Sequence, residues 1–226
     1  MENEELNKKI LGVWKDYYDE LNLKHWPGLY PNFNGKTILF IGLNPSNDNT
    51  NHRLKSITDL KNEEKIEENI KKEFESLKNH NYFGKFRDIA DRLFNNKFDH
   101  LDIFFYRKVK GNDFVKFIEK LEHRKFKEAQ INISLNLGLI DKINPKIIFV
   151  ANKNSSKEIK EIFKANLNLN DEKFFEERGF HLINIRGKRI PIFFSGMISS
   201  MRSIDEYSLE RLLWHLKKAK DWIENL

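Results

Sequence analysis

Lys36–Ser46 has the sequence KTILFIGLNPS, and this stretch decides the fold of the chain. Its apolar run, Thr37–Leu43, stops abruptly at Asn, Pro and Ser. A run of β-branched and aromatic residues that ends in turn-forming residues is typical of a buried strand feeding a tight turn. A second such stretch, Pro191–Arg202, has the sequence PIFFSGMISSMR and lies near the far end. Ligands of open α/β sheets bind at strand ends, so we expect the two stretches to form one functional site.

Strands and helices alternate along the chain. Beyond Thr37–Leu43, the patterns predict strands at His100–Tyr106, Lys146–Ala151, Phe180–Ile185 and Ile190–Phe194. They predict helices at residues 3–24, Glu63–Lys78, Phe83–Phe94, Asp113–Leu121, Lys125–Ile143, Ser156–Ala165 (capped by Ser155) and Asp205–Leu226. Pro27, Gly28 and Pro31 end the first helix. We therefore predict a single domain over residues 1–226, with a helical extension at residues 1–30 and a three-layer α/β/α sandwich built on a mainly parallel sheet.

Composition excludes several classes of protein. The 226 residues include no cysteine, which excludes disulfides, cysteine nucleophiles, Cys-based zinc sites and thiolate-bound iron–sulfur clusters. The seven histidines show no i,i+4 pair and no clustered spacing, so we predict no metal site. No apolar run approaches the length of a membrane-spanning helix. The acidic, amphipathic N-terminus does not resemble a signal peptide, and we expect a cytoplasmic protein.

The net charge of +6 favours an anionic partner, although lysines alternate with glutamates over much of the chain. Local basic excesses occur at Arg107, Lys108 and Lys110, and at Arg186, Lys188 and Arg189. Such clusters bear on function only where they flank a site.

Three common catalytic and nucleotide-binding signatures are excluded. Gly35-Lys36-Thr37 ends like a phosphate-binding loop, but it precedes the strand that it should follow. No GxGxxG fingerprint is present in the sequence. A nucleophile elbow at Ser195 would need glycine at position 193, which is Phe193.

Two motifs carry a resemblance to a known family. Gly42-Leu43-Asn44-Pro45-Ser46, at a predicted strand end, resembles the first motif of the uracil-DNA glycosylase superfamily, nearest its mismatch-specific uracil/thymine branch. Ser195-Gly196-Met197, ahead of the last helix, resembles the second motif of that superfamily. The order of the motifs and the α/β pattern also agree, and the missing cysteines exclude the iron–sulfur branches. The chain thus resembles a divergent, cluster-free member.

The resemblance implies that Asn44 orients the attacking water through its side-chain carbonyl. Asn44 cannot be a general base, because an amide does not titrate near neutrality. Gly42 permits close backbone approach and Pro45 stiffens the turn. An Asn-Pro pair that only closes a strand is the structural alternative. Candidate residues for binding the extruded base are Gly42, Leu43, Pro45, Ser46, Phe83 (as the stacking ring, with Tyr82 and Phe86 nearby), Tyr106, Arg107 and Ser195.

The second motif implies contact with DNA, because a base must leave the duplex before its glycosidic bond is accessible. An apolar wedge is predicted among Met197, Ile198 and Met201. The alternative is that these apolar residues belong to the core. Candidate DNA-binding residues are Gly196, Met197, Ser199, Ser200, Arg202 and Lys108, with Ser195 as a further phosphate contact.

One departure from the family pattern concerns the substrate. Members that read uracil usually carry Asn after the second strand, whereas Phe104–Val109 contains none. Arginine, as at Arg107, donates hydrogen bonds but does not accept them. The expected substrate is therefore a uracil-like or modified base, and uracil itself is not specifically predicted.

Three functions follow as hypotheses. The first is a monomeric, cofactor-free DNA glycosylase acting on single- or double-stranded DNA by water attack. The second is an inactive superfamily member that binds nucleic acid or nucleotides, motivated by the altered second strand and by the lack of a general base other than Asp48. The third is an α/β hydrolase of small nucleosides or nucleotides. The basic charge favours the first two hypotheses.

Overall fold

The computed structural model describes residues 3–45, 52–107, 111–151, 153–166, 174–175, 179–196, 198 and 204–225. The helices are α1 (Glu4–Tyr17), α2 (Glu63–Asn79), α3 (Gly84–Phe94), α4 (Gly111–Ile118), α5 (Arg124–Ser134), α6 (Leu137–Ile143), α7 (Lys153–Asn166) and α8 (Glu206–Glu224). Short 3-10 turns lie at Ile57–Lys61, Asn81–Phe83 and Leu121–His123. The strands are β1 (Ile38–Gly42), β2 (Phe98–Asp102), β3 (Ile147–Ala151), β4 (Phe174–Phe175), β5 (Phe180–Ile185) and β6 (Lys188–Ser195).

The strands form one six-stranded sheet in the order β2-β1-β3-β6-β5-β4. Strand β3 pairs in parallel with β1 and with β6, through registers such as Phe40 opposite Phe149 and Ile148 opposite Ile192. Strand β5 is antiparallel to β6 and to β4. Every residue of β1 and β3 is buried, as expected for central parallel strands that are covered on both faces. The predicted α/β class with a mainly parallel sheet is confirmed.

The chain forms two compact units, each built from three stretches. Met1–Phe33, Asn44–Leu77 and Asp102–Leu139 form the first, here called the helical unit. Asn34–Leu43, Lys78–Leu101 and Ile140–Leu226 form the second, here called the sheet unit. The single domain expected from the sequence stays a prediction.

Helices cover both faces of the sheet in the sheet unit. Phe40 of β1 stacks on Phe86 of α3, with ring centroids 4.3 Å apart and planes 7° from parallel. Leu216 of α8 belongs to the same buried cluster. Helix α7 packs on β3 and β6. Its Lys160 Nζ lies 4.6 Å from the ring centre of Phe194, which points to the face opposite Phe193. The order is helix, sheet, helix, which confirms the three-layer arrangement.

In the helical unit, two irregular segments run side by side. Gly28 N donates to Phe105 O at 2.9 Å, and Arg107 Nε donates to Trp26 O at 3.1 Å. Asp102 N donates to the Tyr30 hydroxyl oxygen at 3.0 Å. Residues 26–30 and 102–107 are thereby held together, although neither segment is a helix or strand over most of its length.

Strand β2 starts and ends earlier than predicted. It covers Phe98–Asp102, whereas the expected strand was His100–Tyr106. The apolar residues Phe104 and Phe105 follow the strand without belonging to it. Their segment does not continue the sheet, because Gln130 Oε1 accepts from the amides of Phe105 and Tyr106 at 2.8 and 3.1 Å.

Three helix predictions also need correction. The first helix ends at Tyr17, well before residue 24. The predicted helix Lys125–Ile143 is two helices, and the side chain of Asn136 accepts from Gly138 N at 2.8 Å where the second begins. Ser155 does not cap α7: the helix starts at Lys153, and Ser155 lies fully buried inside it.

Candidate functional site

The strands that carry the two motifs end at the same edge of the sheet. Ile41 pairs with Val150, which pairs with Phe194, and Ala151 pairs with Ser195. Strands β1 and β6 therefore run in the same direction and end level with each other, two strand spacings or about 10 Å apart. The prediction that both motif strands end at one edge of the sheet is confirmed. Asn44 belongs to the helical unit and Ser195 to the sheet unit, and their sharing of one site stays a prediction.

Asn44 follows β1 in a turn with Pro45, here called the Asn-Pro turn. Its side chain is half-buried. The amide nitrogen Nδ2 donates to Pro45 O at 3.1 Å and to Tyr106 O at 3.4 Å. These two contacts orient the amide, and its other polar atom, Oδ1, is an acceptor. Such an oriented amide oxygen is what water positioning requires.

Gly28 lies against Pro45 of the Asn-Pro turn. A Cβ atom at Gly28 would lie 2.8 Å from Pro45 Cγ, closer than Cβ atoms approach in real structures. Pro45 is itself buried, so it has little room to move. From the sequence, Gly28 was expected only to end a helix. Pro27 and Pro31 on either side of it were the available signal of a rigid segment.

Gln130 of α5 holds the segment that Asn44 contacts. Its side chain is fully buried, and its Oε1 accepts from two successive amides, Phe105 N and Tyr106 N. Its Nε2 donates to Phe126 O at 3.3 Å. The position of Tyr106 O, and with it the orientation of Asn44, therefore depends on Gln130. Nothing in the sequence pattern distinguishes this glutamine from a surface residue of α5.

Arg107 is buried, and its charge is neutralised within the protein. Its side chain is 3% exposed and forms an ion pair with Glu73 of α2. Its Nε also donates to Trp26 O. A buried charge needs such partners, because leaving water is costly. The predicted role of Arg107 in binding the extruded base stays a prediction, and its charge is already paired with Glu73.

His25 lies in the same part of the helical unit. Burial lowers its pKa first, and the positive charges of Arg107 and Arg53 lower it further. The imidazole is therefore neutral at neutral pH.

Tyr106 presents its backbone to Asn44, while its ring belongs to an aromatic cluster. The ring stacks on Phe117, with centroids 4.6 Å apart and planes 7° from parallel. Trp14 lies 6.3 Å away by the same measure. Burial raises the pKa of the Tyr106 hydroxyl. The ring's role as a base contact stays a prediction.

Asp102 is the acidic residue at the true end of β2. Its side chain is fully buried, and burial raises its pKa to about 8, against a smaller opposing effect of the Tyr30 hydroxyl. Burial, followed by the nearby Asp102, also raises the pKa of Tyr30 well above its ordinary value. At neutral pH both side chains are mainly protonated. Asp102 was not predicted as a site residue, because the strand was expected to end four residues later, at Tyr106.

Phe83, the predicted stacking ring, packs against the core of the sheet unit. It is half-buried, 5.0 Å from the rings of both Tyr82 and His100 and 5.7 Å from that of Phe86. Burial alone lowers the pKa of His100 to about 3. The contact of Phe83 with a base stays a prediction.

The second motif is described only in part. Ser195 is half-buried at the end of β6, and Gly196 after it is exposed. Ile198 is fully buried in the core, so its predicted role as a wedge is wrong. The remaining predicted positions lie outside the described residues: Ser46, Asp48, Lys108, Met197, Ser199, Ser200, Met201 and Arg202.

Within the described ranges, no three His, Asp or Glu side chains come together as a possible metal site. Among the helices described, none is both long and apolar enough to cross a membrane.

Comparison with models of known protein families gives no match for this chain. Comparison with curated proteins also gives none. The fold and the site thus define an α/β protein with a mainly parallel sheet and an oriented asparagine after its first strand.

Proposed function

We propose that the chain is a DNA glycosylase that hydrolyses the N-glycosidic bond of an extruded uracil-like or modified base, without a cofactor. The observation that carries this proposal is the orientation of Asn44, whose Nδ2 donates to Tyr106 O and Pro45 O directly after the parallel strand β1. The level ends of β1 and β6 support it, because both motifs of the resemblance follow those strands.

The chemistry fits a residue that positions water without titrating. Cleavage develops positive charge on the sugar and negative charge on the departing base. Water bonds to the sugar carbon as the carbon–nitrogen bond breaks, the base leaves with the bonding electrons, and a proton passes from the water to solvent or base. Asn44 Oδ1 accepts a hydrogen bond from this water and holds it on the line of attack. A monomeric chain acting on DNA in the cytoplasm is part of the proposal.

A second candidate function is a non-catalytic module that binds nucleic acid or nucleotides. The charges described in the helical unit favour it, since Asp102 is held mainly protonated and Glu73 is engaged with Arg107. Neither carboxyl group is available to accept a proton from water. Such a module would bind nucleic acid or a nucleotide but release no base.

A panel of oligonucleotides separates the two candidates. Each oligonucleotide carries one uracil, mismatched thymine, hypoxanthine or modified cytosine, in single- and double-stranded form. Alkaline cleavage after incubation reports abasic sites. Abasic sites at one or more of these bases support the glycosylase. Binding without abasic sites across the panel supports the module and overturns the glycosylase.

A further inference from the structure

Helix α8 exposes two large aromatic rings to solvent. Tyr207 is 75% exposed and Trp214 is 55% exposed. The opposite, leucine-rich side of the helix packs on the core through Leu209, Leu212, Leu213 and Leu216. The two rings therefore lie on the side of α8 that does not contribute to packing. Large exposed aromatic residues of this kind mark interaction surfaces more often than scattered small apolar residues do.

Each exposed ring is followed four residues later by a cation. Tyr207 precedes Arg211, and Trp214 precedes Lys218, so these four residues form what we call the α8 stripe. At 3.6 residues per turn they lie within about 60° of one another around the helix, with the rings about 10 Å apart along its axis. Arg211 and Lys218 are exposed as well, and Lys218 Nζ lies 5.6 Å from the ring centre of Trp214.

We propose that the α8 stripe binds single-stranded nucleic acid, with Tyr207 and Trp214 stacking on bases and Arg211 and Lys218 contacting phosphates. Alternating rings and cations on one surface suit an unpaired strand, which offers base faces and phosphates together. In a duplex the base faces are covered by their neighbours, so the rings would have no stacking partner. The proposal goes beyond the glycosylase site, because binding of a strand by α8 does not depend on base release.

Charge complementarity supports a polyanion as the occupant. Asp221, Glu210 and Lys217 are exposed on the Trp214 margin of the stripe. The four residues of the stripe carry two positive charges and no negative charge, and the chain carries a net charge of +6. Phosphate neutralisation by such cations makes binding depend on salt.

The size of the patch argues against a second copy of the chain as the occupant. With these exposures, the two rings present about 300 Å² together, given the usual area of such side chains. A stable protein–protein interface needs about 800 Å² from each partner. Stacking on two bases, in contrast, needs only the two ring faces.

Fluorescence anisotropy with a labelled oligo(dT) strand and a labelled duplex of mixed sequence tests the proposal. The stacking variant is Tyr207→Ser/Trp214→Ser, and the charge variant is Arg211→Glu/Lys218→Glu. The control is Leu121→Ala/Lys125→Ala, which removes an 85% exposed apolar residue and an exposed lysine elsewhere. Circular dichroism verifies that each variant is folded, and sedimentation gives the oligomeric state.

We expect the stacking variant to weaken oligo(dT) binding at least about tenfold, while duplex binding changes less than about threefold. The charge variant should weaken strand binding and flatten its salt dependence, and the control should match the original protein. Unchanged strand binding in both stripe variants overturns the proposal, as does a stacking variant that changes only self-association. If the protein releases bases but both stripe variants bind the strand normally, the proposed function stands and only this inference is overturned.

Discussion

Asn44 donates from its side-chain nitrogen to the backbone oxygen of Tyr106, a residue 62 positions further along the chain, at 3.4 Å. The contact ties the turn after β1 to the segment after β2. Gly28 on one side and Gln130 on the other hold the two partners of this contact in place. The orientation of a single amide is thus determined by three separate parts of the helical unit.

Replacing Asn44 by Ala should lower the rate of base release by about a hundredfold or more, as expected for loss of one group that acts in the transition state. The free energy of unfolding should change by less than ~1 kcal/mol, because the side chain is half-buried and makes modest hydrogen bonds. Single-turnover assays and urea unfolding measure the two quantities. Asn132→Ala, at an exposed position of α5, is the matched control. Base release at the original rate by folded Asn44→Ala protein would contradict the mechanism.

Replacing Gly28 by Ala should displace the Asn-Pro turn, because the new Cβ atom would meet Pro45 Cγ at 2.8 Å. We expect destabilisation of ~1–3 kcal/mol, as for other overpacked sites, together with reduced base release. Gly12→Ala is the control, since a Cβ atom there meets nothing within 4 Å in the middle of α1. That control should be neutral or stabilising by up to ~1 kcal/mol. Equal stability of the two variants would show that Pro45 accommodates the methyl group.

Replacing Arg107 by Met should cost ~3–5 kcal/mol of stability, because Glu73 would be left without its buried partner. The double variant Arg107→Met/Glu73→Leu should recover part of that loss. Urea unfolding of the two single variants and the double variant gives the coupling energy. Strictly additive losses would contradict a direct ion pair. If Arg107→Met instead left stability unchanged and weakened only DNA binding, the ion pair with Glu73 would contribute nothing to folding.

Stability should fall as pH rises from about 7 to 8, and Asp102 is the expected cause. Burial raises its pKa to about 8 in the folded chain, whereas an unfolded aspartate has a pKa of ~3.9. In this window the folded state keeps a proton that the unfolded state has released. Each pH unit therefore weakens folding by up to ~1.4 kcal/mol, and the loss levels off above the folded pKa.

Asp102→Asn keeps the shape of the side chain and removes this titration. Urea unfolding at both ends of the pH window should show a smaller decline for the variant. Below about pH 7, His100 has the opposite effect, because burial lowers its pKa to about 3 in the folded chain while an unfolded histidine, with a pKa of ~6.5, still binds a proton. An identical decline in both proteins would assign the pH dependence to another group.

Sequence patterns located the parallel strands well. Ile38–Gly42 and Ile147–Ala151 are short apolar runs between turn-forming residues, and both differ from the predicted strands by a residue at one or both ends. Burial on both faces requires such apolar runs, so the sequence pattern alone predicts these two strands. Phe104 and Phe105 continue an equally apolar run, yet they are not in β2. The backbone of Phe105 instead bonds to the Gln130 side chain and to Gly28, and no local pattern encodes such long-range contacts.

The candidate site was predictable only where it follows a strand. Asn44 was found because an Asn-Pro pair ends an apolar run. Gln130 and Glu73 act through partners distant in sequence, and each looks like an ordinary polar residue of an amphipathic helix. Arg107 was predicted as a base contact, and its buried ion pair with Glu73 could not be read from the sequence, because the two residues lie far apart in the chain.

The division of each unit into three stretches has a consequence for how the protein reaches its native state. The chain passes between the units five times, at 33/34, 43/44, 77/78, 101/102 and 139/140. Neither unit exists as a continuous fragment, so a growing chain cannot complete one before the other has begun. The contacts that close each unit join distant parts of the sequence, and such contacts slow folding because long loops must close before they form. The C-terminal half of the chain supplies β3, β6 and α8. It must therefore leave the ribosome before the central sheet is complete.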